Sequence, residues 1–188
     1  MELIQAFEEE FYPRLGASKR WQAILEISRA LLGMAREVNI LETGSLRIPG
    51  NWEGDGQSTV VWGWIAARTG GKLTSVDISQ DSIRTASSAV PEANFINSDS
   101  ITALRGLAGV GLFDLVYLDS YDVTGKYDSP LHHMGELAAI YDKLKSGCLV
   151  AVDDCDFKHG KDRYIRMFMS DIGAKQICSG YINCWEKA

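Results

Sequence analysis

The feature that most constrains this chain is a repeated alternation. Short apolar runs end in an acidic residue, and each is followed by a stretch with apolar positions at helical spacing. Val38-Asn-Ile-Leu-Glu42, Leu73-Thr-Ser-Val-Asp77, Phe113-Asp-Leu-Val-Tyr-Leu-Asp119 and Cys148-Leu-Val-Ala-Val-Asp153 read as strands, with Asn94-Phe-Ile-Asn97 as a weaker one. A helix is expected from Ser58 as N-cap to Gly70-Gly71, a second over Ser79–Val90 ended by Pro91, and a short third from Ser100 to about Leu107. Ser129-Pro130 caps a long helix that turns Met134, Leu137, Ala138, Tyr141 and Leu144 inward and stops at Gly147; another runs from Gly160 to Ile172. Two helical patterns precede the first strand, the second opening at Ser18, and two short β runs, Lys175–Ser179 and Tyr181–Trp185, close the chain as a hairpin. This order predicts a single α/β domain over residues 1–188, with a helical cap (1–36) and a core (37–188) built on a mostly parallel sheet.

Charge and cysteine usage narrow the partners. Nineteen Lys and Arg against 25 Asp and Glu leave a net charge of −6, a poor surface for reading a nucleic-acid backbone. The start of the chain lacks the basic and apolar regions of a secretion signal, and the apolar stretch around Val60–Ala67 is too short to span a bilayer. A cytoplasmic protein with no membrane partner is expected. Cys148, Cys155, Cys178 and Cys184 form no CxxC pair, so they read as reduced core residues rather than zinc ligands.

In a parallel sheet, ligands sit beyond the carboxyl ends of the strands, where the strand order reverses. There the chain places Glu42, Asp77, Asp119 and Asp153-Asp154, with Ser98-Asp99 after the weaker strand. Gly44 permits close backbone approach, Asp77 suits the two hydroxyls of a ribose, and Ser98-Asp99 offers an acceptor to an adenine amino group. Neither GxGxxG nor GxxxxGK[ST] occurs, which argues against dinucleotide and P-loop chemistry.

The series Glu42-Thr-Gly-Ser-Leu-Arg47, Gly54-Asp-Gly-Gln-Ser-Thr59, Ser75-Val-Asp77, Asn97-Ser-Asp99, Phe113–Asp119 and Leu144–Asp154 resembles the class I S-adenosylmethionine-dependent methyltransferases. Within that superfamily it is most similar to the small-molecule O-methyltransferases of the catechol and macrolide-sugar type. The resemblance spans about residues 36–186 and implies a Rossmann-like, mostly parallel seven-stranded sheet with a C-terminal antiparallel hairpin. It implies that Glu42, Gly44 and Ser45 approach the methionine part of S-adenosylmethionine, with Ser58 and its helix N-terminus supplying amides to the carboxylate. Asp77 would hold the ribose, Ser98 and Asp99 the adenine, and Asp119 would lie beside the sulfonium.

In the metal-dependent relatives, acids at the positions of Asp119, Asp153 and Asp154 bind Mg²⁺, which acidifies the acceptor hydroxyl. Here the alternative is that Asp119 meets cofactor or acceptor while Asp153 and Asp154 cap a loop. The catechol-type lysine three residues beyond the first metal aspartate is Asp122, so His132, His133 and Lys126 are the candidate bases besides Asp119. Between Ser45 and Gln57 the usual compact turn is lengthened and gains Arg47, Trp52 and Asp55. The expected activity is methylation of a small-molecule hydroxyl, with at most a second copy of the chain as protein partner. The alternatives are a binding protein that keeps the nucleoside pocket without transfer, or another group transfer from that pocket.

Overall fold

Residues 2–55, 57–109 and 111–188 are described by the structure, a computed structural model. Among these residues seven short strands form one sheet: β1 (Ile40–Thr43), β2 (Leu73–Asp77), β3 (Asn94–Asn97), β4 (Leu115–Leu118), β5 (Leu149–Val152), β6 (Lys175–Cys178) and β7 (Asn183–Glu186). Their order across the sheet is β3-β2-β1-β4-β5-β7-β6, and β7 alone runs against the others. The helices are α1 (Glu2–Leu15), α2 (Trp21–Leu32), α3 (Ser58–Thr69), α4 (Gln80–Ala89), α5 (Ser100–Gly106), α6 (Asp128–Ile140) and α7 (Arg163–Asp171). Among the described residues no helix is long and apolar enough to cross a membrane.

β1, β4 and β5 are apolar almost throughout because helices cover both faces of the sheet. The side-chain period of two divides them between two cores. Ile40, Leu115, Tyr117, Leu149 and Ala151 face α1, α2 and α3; Leu41, Val116, Leu118, Val150 and Val152 face the α5–α6–α7 side. On the first face Phe7 packs on Phe11, Trp21 and Trp64, which joins α1 and α2 to the core beneath α3.

Strand register aligns the functional rim. Thr43 lies opposite both Val76 and Leu118, and Leu118 lies opposite Val152. The residues that follow, Gly44, Asp77, Asp119 and Asp153, therefore leave the sheet side by side. Asp77 is itself opposite Asn97, so Ser98 and Asp99 leave the sheet just beyond this row.

Several local expectations change. Arg20, not Ser18, is the cap residue of α2, and α3 begins after Gln57, whose positive φ of 55° turns the chain. Ser58 makes no capping bond because its hydroxyl is committed to Glu42. Along α6, Ala138 faces solvent while His133 and Glu136 are buried, so a polar cluster takes part of the face expected to be apolar. All four cysteines are free and buried, as their spacing suggested.

Candidate active site

The strand order reverses between β1 and β4, and the two backbones approach closely there. Gly44 has φ +85°, and a Cβ on it would lie 2.5 Å from the Asp119 carbonyl oxygen. Two cavities open at this point. One lies under the long loop and is walled by Ser45, Arg47, Asp55, Ser58, Asp119 and Asp122. The other, of about 270 Å³, lies between Ile78, Asp99, Tyr121 and His132. Asp77 and Ser120 line both, so the two form one cleft with Asp77 at its middle.

Asp77 is fixed by backbone donors: Ser45 N–H gives to Oδ2 (2.8 Å) and Ser79 N–H to Oδ1 (2.7 Å). A carboxylate has about four acceptor sites, so two remain for hydroxyls in the cleft. Asp99 accepts from Thr102 N–H at 2.8 Å as the N-cap of α5, and that bond holds its carboxyl below the usual range. Ser98 does not line the cleft; its hydroxyl donates to the Asp99 carbonyl. Ile78, three-quarters exposed, and Tyr121 give this end two apolar walls, of which the sequence reading missed Ile78. The signal was an isoleucine directly after the strand-end acid.

Glu42 is displaced from its expected role. It is completely buried under the rim and accepts hydrogen bonds from Ser58 Oγ (2.5 Å), Thr59 Oγ1 (2.7 Å) and Ser75 Oγ (2.8 Å). Burial pushes its carboxyl up to about 7 although the three hydroxyls oppose the shift. It shapes the cleft through Ser58 and through the Ser75–Ser45 hydroxyl pair (2.8 Å), not by contact.

The two histidines separate. His132 reaches the cleft, 3.0 Å from Ser100 Oγ and 3.5 Å from Glu136 Oε1, and the bond to Glu136 raises its pKa. His133 lies wholly beneath the surface, away from both cavities, with Nδ1–H donating to Ser129 O at 2.8 Å. Burial lowers its pKa to about 4. A base whose folded pKa is depressed contributes stability above its unfolded value that is lost as pH falls through the folded value. Urea unfolding should therefore show wild type losing about 3 kcal/mol relative to His133→Asn between pH 7 and pH 4; a constant difference would contradict this. Glu136 was also missed: it is buried, its pKa is held low by its partners despite desolvation, and it accepts Ser120 Oγ at 2.6 Å.

The three aspartates expected to bind Mg²⁺ do gather, but each already has an oxygen held by a cationic side chain. Lys161, fully buried, places Nζ against Asp119 Oδ1 and 3.0 Å from Asp154 Oδ2. Asp153 accepts Arg20 Nε at 2.8 Å and Tyr117 OH at 2.9 Å, and Arg20 Nη2 also reaches Asp154 at 3.3 Å. The surrounding carboxylates raise the Lys161 pKa above its ordinary value despite burial, which keeps it an ammonium. With an ammonium and a guanidinium already seated on these carboxylates, the donor set does not fit Mg²⁺. Lys126 is exposed and lines neither cavity.

The sequence matches no protein-family model and no curated protein. Solved structures do match the fold. The N-methyltransferase NodS of Bradyrhizobium japonicum WM9 aligns with a TM-score of 0.58 at 12% identity, over 89% of this chain and 96% of NodS. SMU.1697c of Streptococcus mutans, solved with S-adenosylhomocysteine, gives a TM-score of 0.62 at 11% identity, over 90% and 98%. MycE of the mycinamycin biosynthetic pathway, solved with Mg and S-adenosylhomocysteine, gives 0.56 at 16% identity, over 81% of this chain and 46% of MycE. With its strand order and single antiparallel strand, the chain has the Rossmann-like fold of the class I S-adenosylmethionine-dependent methyltransferases.

Proposed function

We propose that this chain transfers a methyl group from S-adenosylmethionine to a hydroxyl of a small molecule. The observation that carries the reading is the single cleft at the strand-order reversal, with Asp77 at its centre and Asp119 on its wall. Asp77 receives the ribose hydroxyls through its free lone pairs, and a flat base fits between Ile78, Tyr121 and Asp99. The amino-acid end lies toward Ser45, Ser58 and the start of α3. There Arg47 and Asp55, 3.3 Å apart, offer one charge of each sign to a zwitterion, and Asp55 Oδ2 is buried without a partner.

When bound, the cofactor supplies an electrophilic methyl on a sulfonium. Asp119 would accept the acceptor's hydroxyl proton as that oxygen takes the methyl group, which would leave the donor a neutral thioether. Ser120, hydrogen-bonded to Glu136 and through it to His132, orients the acceptor beside that carboxylate. The loop over the cleft is held down by Arg47, whose Nη1 donates to Asp122 at 3.0 Å. A short, acidic-walled cleft on a chain of net charge −6 favours a small hydroxylated acceptor over nucleic acid.

The test uses S-adenosylmethionine labelled in its methyl group and a panel of hydroxylated small molecules. Label should pass to an acceptor, and Asp119→Asn should lower turnover by about 100-fold or more, the scale of a lost acid–base group, with S-adenosylhomocysteine affinity retained. Cofactor binding without transfer to any acceptor would leave a nucleoside-binding protein instead.

A further inference from the structure

We infer that the ammonium of Lys161, together with the guanidinium of Arg20, is the resident cation of the Asp119–Asp153–Asp154 cluster, standing where a divalent metal would stand and fixing the Asp119 carboxylate at the cleft. Lys161 Nζ touches Asp119 Oδ1, lies 3.0 Å from Asp154 Oδ2 and 3.4 Å from the Asp119 carbonyl oxygen, and so sits between the two strand ends against the carboxylates that would hold an ion. Arg20, at 2.8 Å from Asp153 and 3.3 Å from Asp154, closes the other side. The two monovalent groups bring the same charge as one Mg²⁺, which demands a near-octahedral oxygen shell that an ammonium at this point excludes.

The chain between the acids and the lysine is shaped for this return. Asp154 takes a positive φ of 53°, Lys161 N–H donates back to Asp154 O at 3.2 Å, and a Cβ on Gly160 would lie 2.5 Å from the Cys155 carbonyl oxygen. The loop thus folds onto itself and delivers a charged side chain, fully buried, to the underside of the rim. Lys161 lines neither cavity, so it is a positioning residue that acts through Asp119. Its consequence for turnover rests on the methyl-transfer reading, whereas the cation assignment does not. An acceptor in such a cleft is held by hydrogen bonds rather than by chelation, so a single hydroxyl suffices.

The experiment is calorimetric titration of Mn²⁺ into the intact chain and into Lys161→Met. Wild type should show no saturable binding. The variant should bind Mn²⁺ tighter by at least about tenfold, since removing one partner leaves buried acids uncompensated, and adding Asp154→Asn should abolish the gain. Saturable Mn²⁺ binding to wild type that Asp154→Asn removes would overturn the inference, and so would a folded Lys161→Met that binds no better than wild type. The wild-type titration decides even if the variant fails to fold. Because no methyl transfer is read, failure here is separable from failure of the proposed activity.

Discussion

Gly44→Ala is expected to destabilise the protein by about 4 kcal/mol or more, against about 1 kcal/mol for Gly50→Ala. Both glycines have positive φ, +85° and +78°, so both substitutions meet the same left-handed backbone penalty. They differ in surroundings. A Cβ at Gly50 meets nothing within 4 Å, whereas at Gly44 it would be 2.5 Å from the Asp119 carbonyl oxygen, 2.8 Å from its carbon and 3.2 Å from Ser120 Cα. Those atoms are main chain at the end of β4 and cannot rotate away. The clash must be relieved by parting β1 from β4 at the point where the cleft opens, so cofactor affinity should fall with stability. Urea denaturation of the two variants measures the contrast, and equal losses would mean that the approach of Gly44 to Asp119 does not constrain the rim.

The second large effect concerns pH and Glu42. Its carboxyl titrates near 4.5 in the unfolded chain and about 7 in the folded one. The folded state therefore holds a proton across that window that the unfolded state has released. For a group with a raised folded pKa, stability is full below the unfolded value and is lost as pH rises through the folded value. The loss is about 3 kcal/mol between pH 4.5 and pH 8. Glu42→Gln keeps the volume and an acceptor for the Ser58, Thr59 and Ser75 hydroxyls but cannot ionise. The difference in unfolding free energy between wild type and Glu42→Gln should move by that amount in favour of the variant as pH rises. Parallel stability curves would contradict the buried, proton-holding role. Ionised Glu42 would also put negative charge behind Ser58 and Ser45, so weaker binding of the cofactor carboxylate should accompany the change.

The rim could be read from sequence because each strand run ends in a polar residue and parallel register then lines those ends up. Thr43, Val76, Leu118 and Val152 sit level in the sheet, so Asp77, Asp119 and Asp153 had to emerge together. Period-two patterning reports such facts directly. What neutralises the acids could not be read in that way. Lys161 falls in the first turn of the helix expected over Gly160–Ile172, where a lysine reads as a solvated flank; the helix instead begins at Arg163, and the burial of Lys161 follows only from the loop's return under β4. Arg20 looks like the charged flank of a helix, yet the packing of α2 carries it 133 positions along the chain to Asp153. Glu136 and His133 sit on a helix face whose neighbours are apolar, so periodicity marked the face and misread its chemistry. Glu42 shows the converse: its place at a strand end was clear, but the hydroxyls of Ser58, Thr59 and Ser75 that enclose it come from elements only the fold assembles.

The central claim is that the cleft around Asp77 is a site for a sulfonium nucleoside, and the most direct measurement is a thermal unfolding series with S-adenosylhomocysteine. A ligand that binds only the folded state adds about 2.7 kcal/mol at a hundredfold excess over its dissociation constant, which for a domain of this size raises Tm by roughly 5–10 °C. Wild type should show that rise, and Asp77→Ala, which loses both the ribose acceptor and the carboxylate that fixes Ser45 N–H, should show much less. A wild-type Tm that stays flat as S-adenosylhomocysteine is raised to millimolar levels would contradict the account.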